Sequence, residues 1–214
     1  MTHPNIIKII CHDIGKHLGC YGVKSVSTKA IDALAKNGIL FENSYATSPG
    51  CSPSRAAIAT GMYPHNNGVL GLAHAHFGWS LDKKVNHIAK HFFKNNYSSI
   101  LFGLQHVTYN EKTLGFKKIF PERPADAVVK NIKENIDSNL FKKPFYAEIN
   151  FFEPHRPFDF GGVKPFKSKG ISVPKYIPNN HDTRKEFASM QGAIKKMDDS
   201  VGKIINILKK TNLY

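Results

Sequence analysis

A thiol and a guanidinium stand four residues apart in Cys51-Ser52-Pro53-Ser54-Arg55. Ser48-Pro49-Gly50 ahead of them reads as loop, and residues 54–60, closed by Gly61, read as a short helix. The thiol therefore falls at a loop-to-helix junction, where the partial positive charge of a helix N-terminus stabilises an anion. Arg55, one turn on, points a second positive donor at the same space. An activated thiol there suits nucleophilic chemistry. The same cysteine also reads as a structural thiol beside a turn proline.

Three other segments carry candidate groups. Asp13, in His12-Asp13-Ile14-Gly15, offers hard oxygen to a cation. His106 closes Gly103-Leu104-Gln105-His106, and His155 lies in Glu153-Pro154-His155-Arg156-Pro157. An imidazole at either position suits proton transfer. Each has a plain structural alternative: Asp13 as a cap or loop residue, His106 as a satisfied core histidine, His155 as a surface loop residue. Arg156 reads as an anion contact or an exposed side chain. His74 and His76, two apart, would share one side of a strand and could then hold a metal.

The elements that must position these groups alternate. Residues 5–11 form a β-branched run read as a buried strand. Thr28 is placed to cap a helix through residue 36, with Asn37-Gly38 as the stop. Residues 39–45 read as a second strand. Residues 83–94 have helical spacing, 97–102 read as a strand, 125–140 as a helix and 145–152 as an apolar strand. Residues 158–180, rich in Pro and Lys, read as a surface loop. Residues 183–210 form a long amphipathic helix with Met197, Val201, Ile204 and Leu208 on one stripe. Asp198 and Asp199 within it read as packing or surface carboxylates, not ligands. This order predicts an α/β fold: a mainly parallel sheet with helices on both faces. Polar groups at the C-terminal ends of its strands are where ligands bind in such sheets.

The chain has 214 residues, enough for one such domain. Hydrophobic residues make up 41% and charged residues 21%, which excludes a disordered chain. Three cysteines cannot close a disulfide framework. No apolar run approaches the ~18 residues of a membrane span. Lys and Arg exceed Asp and Glu by 30 to 16. That excess suits anionic partners, but no helix–turn–helix, zinc-finger or RNA-recognition signature accompanies it, so no nucleic-acid partner is expected.

The run Cys51-x-Pro53-x-Arg55, then Ala56-Ala57 and Thr60-Gly61-x-Tyr63-Pro64-His65, resembles the signature of type I sulfatases, in the alkaline-phosphatase superfamily. The resemblance implies that Cys51 is oxidised after translation to Cα-formylglycine. Its hydrate attacks sulfur, and the second hydroxyl then expels sulfate. Arg55 would position the hydrate. His12-Asp13 resembles the segment in which two adjacent Asp bind calcium. Asp13 matches the second, while His12 stands in place of the first, and imidazole is a poor calcium ligand. Gly103-Leu104-Gln105-His106 resembles a Gly-Lys-Trp-His segment, with Leu104 replacing the Lys. His155 matches the His of a Pro-His-x-Pro segment that protonates the leaving oxygen.

The resemblance thus implies a catalytic set of Cys51, Arg55, His106 and His155, with His106 and His155 also touching substrate. It implies metal ligands Asp13, Cys51 and His12, and calcium as the divalent cofactor. The implied partners are a sulfated small molecule or glycan and a formylglycine-generating enzyme. It spans residues 5–213, so residues 1–214 are expected to be the N-terminal portion of a sulfatase-like catalytic domain. The strand and Asp-containing metal segment that follow the long helix in the family are not in this sequence. The alternatives are a phosphoester or phosphonate hydrolase of the same superfamily, or a non-catalytic basic anion-binding domain. With no export signal and unpaired cysteines, a cytoplasmic location is expected, or periplasmic or secreted if translation starts upstream.

Overall fold

The computed structural model describes residues 3–74, 76, 78–142, 144–166 and 170–214. The β-branched run Ile6–Ile10 forms β1, Ser98–Gly103 forms β2, Lys118–Phe120 forms β3 and Phe145–Asn150 forms β4. The strands make one sheet in the order β1-β4-β2-β3, and every pairing is parallel. The expected parallel α/β class is borne out. β2 and β4 are buried along their whole length, as the inner strands of such a sheet must be. Helices are α1 (Lys29–Asn37), α2 (Cys51–Thr60), α3 (Pro64–Asn67), α4 (Ile88–Lys94), α5 (Ala125–Asn135) and α6 (His181–Lys210).

Two compact units share the chain. The first comprises Met1–Ile10, Ser44–Glu122 and Glu134–Asn150; the second comprises Cys11–Asn43, Arg123–Lys133 and Phe151–Tyr214.

The first unit holds the sheet, and the sheet buries a charge. Lys8 and Glu148 are register partners on β1 and β4, and their side chains meet at 2.6 Å. Glu148 also accepts from the Tyr146 hydroxyl at 2.7 Å and the Asn150 amide at 2.9 Å. Burial alone would raise its pKa; the Lys8 ammonium reverses this and holds it below the usual carboxylate value. Burial pushes the Tyr146 hydroxyl well up, so it stays a donor. His87, the N-cap of α4, accepts from the Ala89 amide through Nδ1 at 3.1 Å. Ser99 on β2 donates to the Ala89 carbonyl at 3.0 Å, tying α4 to the sheet.

The second unit is organised by α6. Ile194, Met197, Val201, Ile204 and Leu208 are buried, which is the stripe the spacing predicts. Asp198 on α6 is buried too, and accepts from the Ala30 and Ile31 amides of α1 at 3.1 and 2.8 Å. It therefore caps α1 from another helix, an arrangement whose loss costs about 1–2 kcal/mol. Gly192 lets α6 approach the backbone, since a Cβ there would lie 2.1 Å from the Lys164 carbonyl oxygen.

Several local expectations are corrected. Residues 39–45 form no strand: Ile39, Phe41 and Tyr45 are exposed, and no partner strand lies beside them among the described residues. Their β-branched and aromatic character gave propensity, but a strand needs a neighbour to bond. Thr28 precedes α1 without capping it; its hydroxyl donates to Asp32, and Asp198 takes the cap. α2 begins at Cys51 rather than residue 54, because proline is tolerated in a first helical turn. α4 begins only at Ile88, and α5 ends at Asn135. β3, three residues long, had no readable period.

Candidate functional site

Cys51 is the first residue of α2, whose N-cap is Gly50. Its Sγ lies 3.5 Å from Nδ1 of His106. Arg55 lies on the next turn of α2 and is buried, which a guanidinium tolerates only in a polar or anionic surrounding. The first unit thus brings together a thiol, an imidazole and the N-terminal dipole of a ten-residue helix.

His106 sits just beyond β2 on a backbone with φ of 56°. A side chain in this left-handed region persists when its surroundings fix it, and here they do. The Asn150 amide donates to the Leu104 carbonyl at 2.7 Å. The Gln105 side chain accepts from the amides of Val107 and Thr108 at 2.7 and 3.1 Å. The same side chain donates to the Thr108 carbonyl at 2.7 Å. Leu104 leaves this segment without the lysine that the resemblance would place there.

His74 completes the group, and sequence reasoning had given it only a metal role on a strand. The residue lies on a bend instead. Its Nδ1 is 2.9 Å from Nε2 of His106, with the rings stacked. Its backbone is pinned on both sides: the Ala73 amide donates to Ser52 Oγ at 2.9 Å, and the Tyr109 hydroxyl donates to the His74 carbonyl at 2.7 Å. His76 lies on a turn, while its neighbours Ala75 and Phe77 fall outside the described residues.

The second unit holds the other expected groups. His12, Asp13 and His155 each offer a ligand atom, and the three atoms lie within 4.8 Å of one another. His12 is buried, whereas the side chains of Asp13 and His155 are 51% and 36% exposed, so the cluster opens to solvent. Nδ1 of His12 is 3.7 Å from one carboxylate oxygen of Asp13, and Nε2 of His155 is 3.5 Å from the other. Glu153 staples the segment carrying His155. Its carbonyl accepts from the His12 amide at 3.3 Å, and its buried carboxylate accepts from the Ala125 amide at 3.0 Å. Asp13 was expected to bind metal with Cys51 and His12, and His155 to act in catalysis and touch substrate. The structure groups His12, Asp13 and His155. Arg156 points away into an exposed ion pair with Glu186.

The family model described as Sulfatase matches residues 4–214. An ulvan-active sulfatase of Formosa agariphila is 30% identical over 99% of this chain and 42% of its own length. The human N-sulphoglucosamine sulphohydrolase is 22% identical over 96% of this chain and 47% of its own. The chain therefore spans less than half the length of these two relatives. The crystal structure of Ps i-CgsB in complex with k-i-k-neocarrahexaose superposes with a TM-score of 0.78 at 24% identity, covering 100% of this chain and 56% of that one. No helix among the described residues is long and apolar enough to cross a membrane. On the match across residues 4–214, the chain belongs to the Sulfatase family.

Proposed function

We propose that this chain carries the nucleophile of a sulfuric-ester hydrolase, and that the nucleophile derives from Cys51. The observation that supports this most is the placement of Cys51 at the head of α2, with His106 against its Sγ, in a chain of the Sulfatase family. The overall reaction joins water to a sulfate ester and releases an alcohol and sulfate. Oxidised to Cα-formylglycine by a maturating enzyme, Cys51 would supply a hydrated aldehyde as nucleophile. His106 exchanges a proton at the side chain of residue 51 through Nδ1. Arg55 holds positive charge one turn along α2. His155 is the proposed donor to the leaving oxygen. Family membership favours sulfate over the phosphate, phosphonate and anion-binding alternatives.

The implied metal is calcium, which takes oxygen ligands: Asp13 offers it a carboxylate, whereas the His12 imidazole beside that carboxylate does not suit it. A divalent ion there would withdraw charge from a sulfate oxygen. No step is assigned through calcium. The proposed substrate class is a sulfated glycan, supported by the ulvan-active relative, the oligosaccharide complex and the excess of Lys and Arg.

The test is peptide mass spectrometry of the chain after co-expression with a formylglycine-generating enzyme. Sulfate release is then measured from ulvan and carrageenan oligosaccharides, with a phosphonate monoester as comparison. Conversion at residue 51, and sulfate release abolished by Cys51→Ala, are expected. A persistently unmodified Cys51 under conditions that convert a control sulfatase overturns the reading.

A further inference from the structure

We propose that a cavity in the first unit binds a second sulfate group of the substrate glycan, carried on a sugar beside the one whose sulfate is removed. The proposal deepens the sulfated-glycan reading and rests on it for the identity of the ligand. The cavity itself is argued from its walls.

It holds about 580 Å³, a volume typical of small-ligand sites. The segment before α4 and the segment after β2 enclose it, and the two are tied together. The Leu81 amide donates to the Val107 carbonyl at 3.0 Å, and the hydroxyls of Ser80 and Thr108 meet at 2.8 Å. Gly115, with φ of 90°, brings the far wall against α4, since a Cβ there would lie 2.6 Å from Cα of Lys90. The cavity therefore lies just past the C-terminal end of β2, the end at which parallel sheets bind ligands.

Charge sets the sign of the ligand. Lys83, Lys90 and Lys112 line the cavity against one carboxylate, that of Asp82. Among the described residues, none of these three lysines is paired with a carboxylate. The lysines of α6 differ, because Lys195, Lys196 and Lys203 each have an aspartate oxygen within 3.5 Å. Uncommitted ammonium groups around a concave site attract an anion.

The rest of the lining suits a sugar. Phe93 and Tyr109 are 53% and 51% exposed in the same cavity, so two aromatic surfaces stand open to the apolar face of a sugar ring. The Thr113 hydroxyl donates to the Asn110 carbonyl at 2.7 Å and keeps lone pairs that accept from a sugar hydroxyl. Tyr109 also joins the cavity to the nucleophile. Its hydroxyl donates to the His74 carbonyl, and His74 meets His106, which reaches Cys51. Three residues separate His106 from Tyr109, a span of at most about 11 Å. One oligosaccharide can present a sulfate at residue 51 and another to the lysines.

The unmodified chain is titrated by calorimetry with two carrageenan oligosaccharides of equal length, one singly and one multiply sulfated. The multiply sulfated one should bind roughly tenfold or more tightly. Lys83→Gln and Lys112→Gln, both at exposed positions, should each weaken it by roughly three- to tenfold and leave the singly sulfated ligand unaffected. Lys209→Gln, at the end of α6, should change neither. Five results would each overturn the proposal: no binding of the multiply sulfated oligosaccharide, equal affinity for the two, no loss in the Lys83 and Lys112 variants, an equal loss in Lys209→Gln, or displacement by equimolar inorganic sulfate. The fourth would reduce the effect to general charge attraction, and the fifth would make the cavity a site for a free anion. None of these measurements needs Cys51 conversion or turnover. Binding retained on a chain that is never converted counts against the sulfatase reading alone, and sulfate release without this binding counts against the cavity alone.

Discussion

Nδ1 of His74 lies 2.9 Å from Nε2 of His106, whose other nitrogen lies 3.5 Å from Cys51 Sγ. Two lone pairs cannot face each other, so one ring donates. With His106 donating from Nε2, its Nδ1 is left as acceptor for the proton of residue 51. His74 is then a positioning residue that fixes one tautomer of His106.

His74→Ala should let the His106 tautomers mix, seen as an averaged imidazole nitrogen shift in long-range nitrogen–proton spectra. His74→Gln, which keeps an acceptor, should preserve the Nε2–H tautomer. Alkylation of Cys51 at neutral pH should slow several-fold in His106→Ala, less in His74→Ala, and hardly at all in His74→Gln. An unchanged tautomer in His74→Ala would show that the contact is packing only.

The buried pair between β1 and β4 makes a second prediction. Lys8→Met leaves Glu148 charged and uncompensated in the centre of the sheet, and should cost about 3–5 kcal/mol in denaturant unfolding. Adding Glu148→Gln should recover a large part, because the amide still meets Tyr146 and Asn150 without a charge. A Lys8→Met variant of wild-type stability would mean that water reaches Glu148.

His87 sets a pH dependence whose sign follows from its environment. Burial lowers its pKa to about 4, partly opposed by Glu148. Its ring is thus neutral in the fold, as the bond accepted from the Ala89 amide requires. Unfolded, it titrates near 6.5. Its contribution is therefore complete above about pH 6.5 and declines as pH falls toward 4, where the unfolded chain takes up a proton that the native chain refuses. The full decline is roughly 3 kcal/mol. His87→Asn keeps a capping oxygen without the titration, so its stability should fall less than wild type across this window. Parallel curves would exclude His87 as the cause.

Gly192→Ala tests the packing of α6. Alanine favours helix by about 1 kcal/mol in open positions. Here its Cβ would meet the Lys164 carbonyl, so a net loss of about 1–3 kcal/mol is expected from thermal unfolding. A stabilised variant would show that the segment carrying Lys164 moves freely.

What the sequence disclosed was local. Ile6–Ile10 and Phe145–Asn150 were readable as strands because a short run of mostly apolar residues ending in polar ones has few other fates. Cys51 and Arg55 were readable because helix-start chemistry is written in adjacent residues. What stayed hidden depends on distant partners. Residues 39–45 had strand propensity but no strand to pair with. His74 took its role from His106, 32 positions away. His155 was legible as a proton donor, but its meeting with His12 and Asp13 arises only when segments more than a hundred residues apart are brought together.

The cap that Asp198 places on α1 has a consequence for the order in which the chain is made. Ala30 precedes its partner by 168 residues. At a synthesis rate of about 5–20 residues per second, the start of α1 waits roughly ten to thirty seconds for the carboxylate that completes it. Through that interval its first amides face water, and the second unit cannot close around its own earliest segment. α6 thus finishes a helix made long before it.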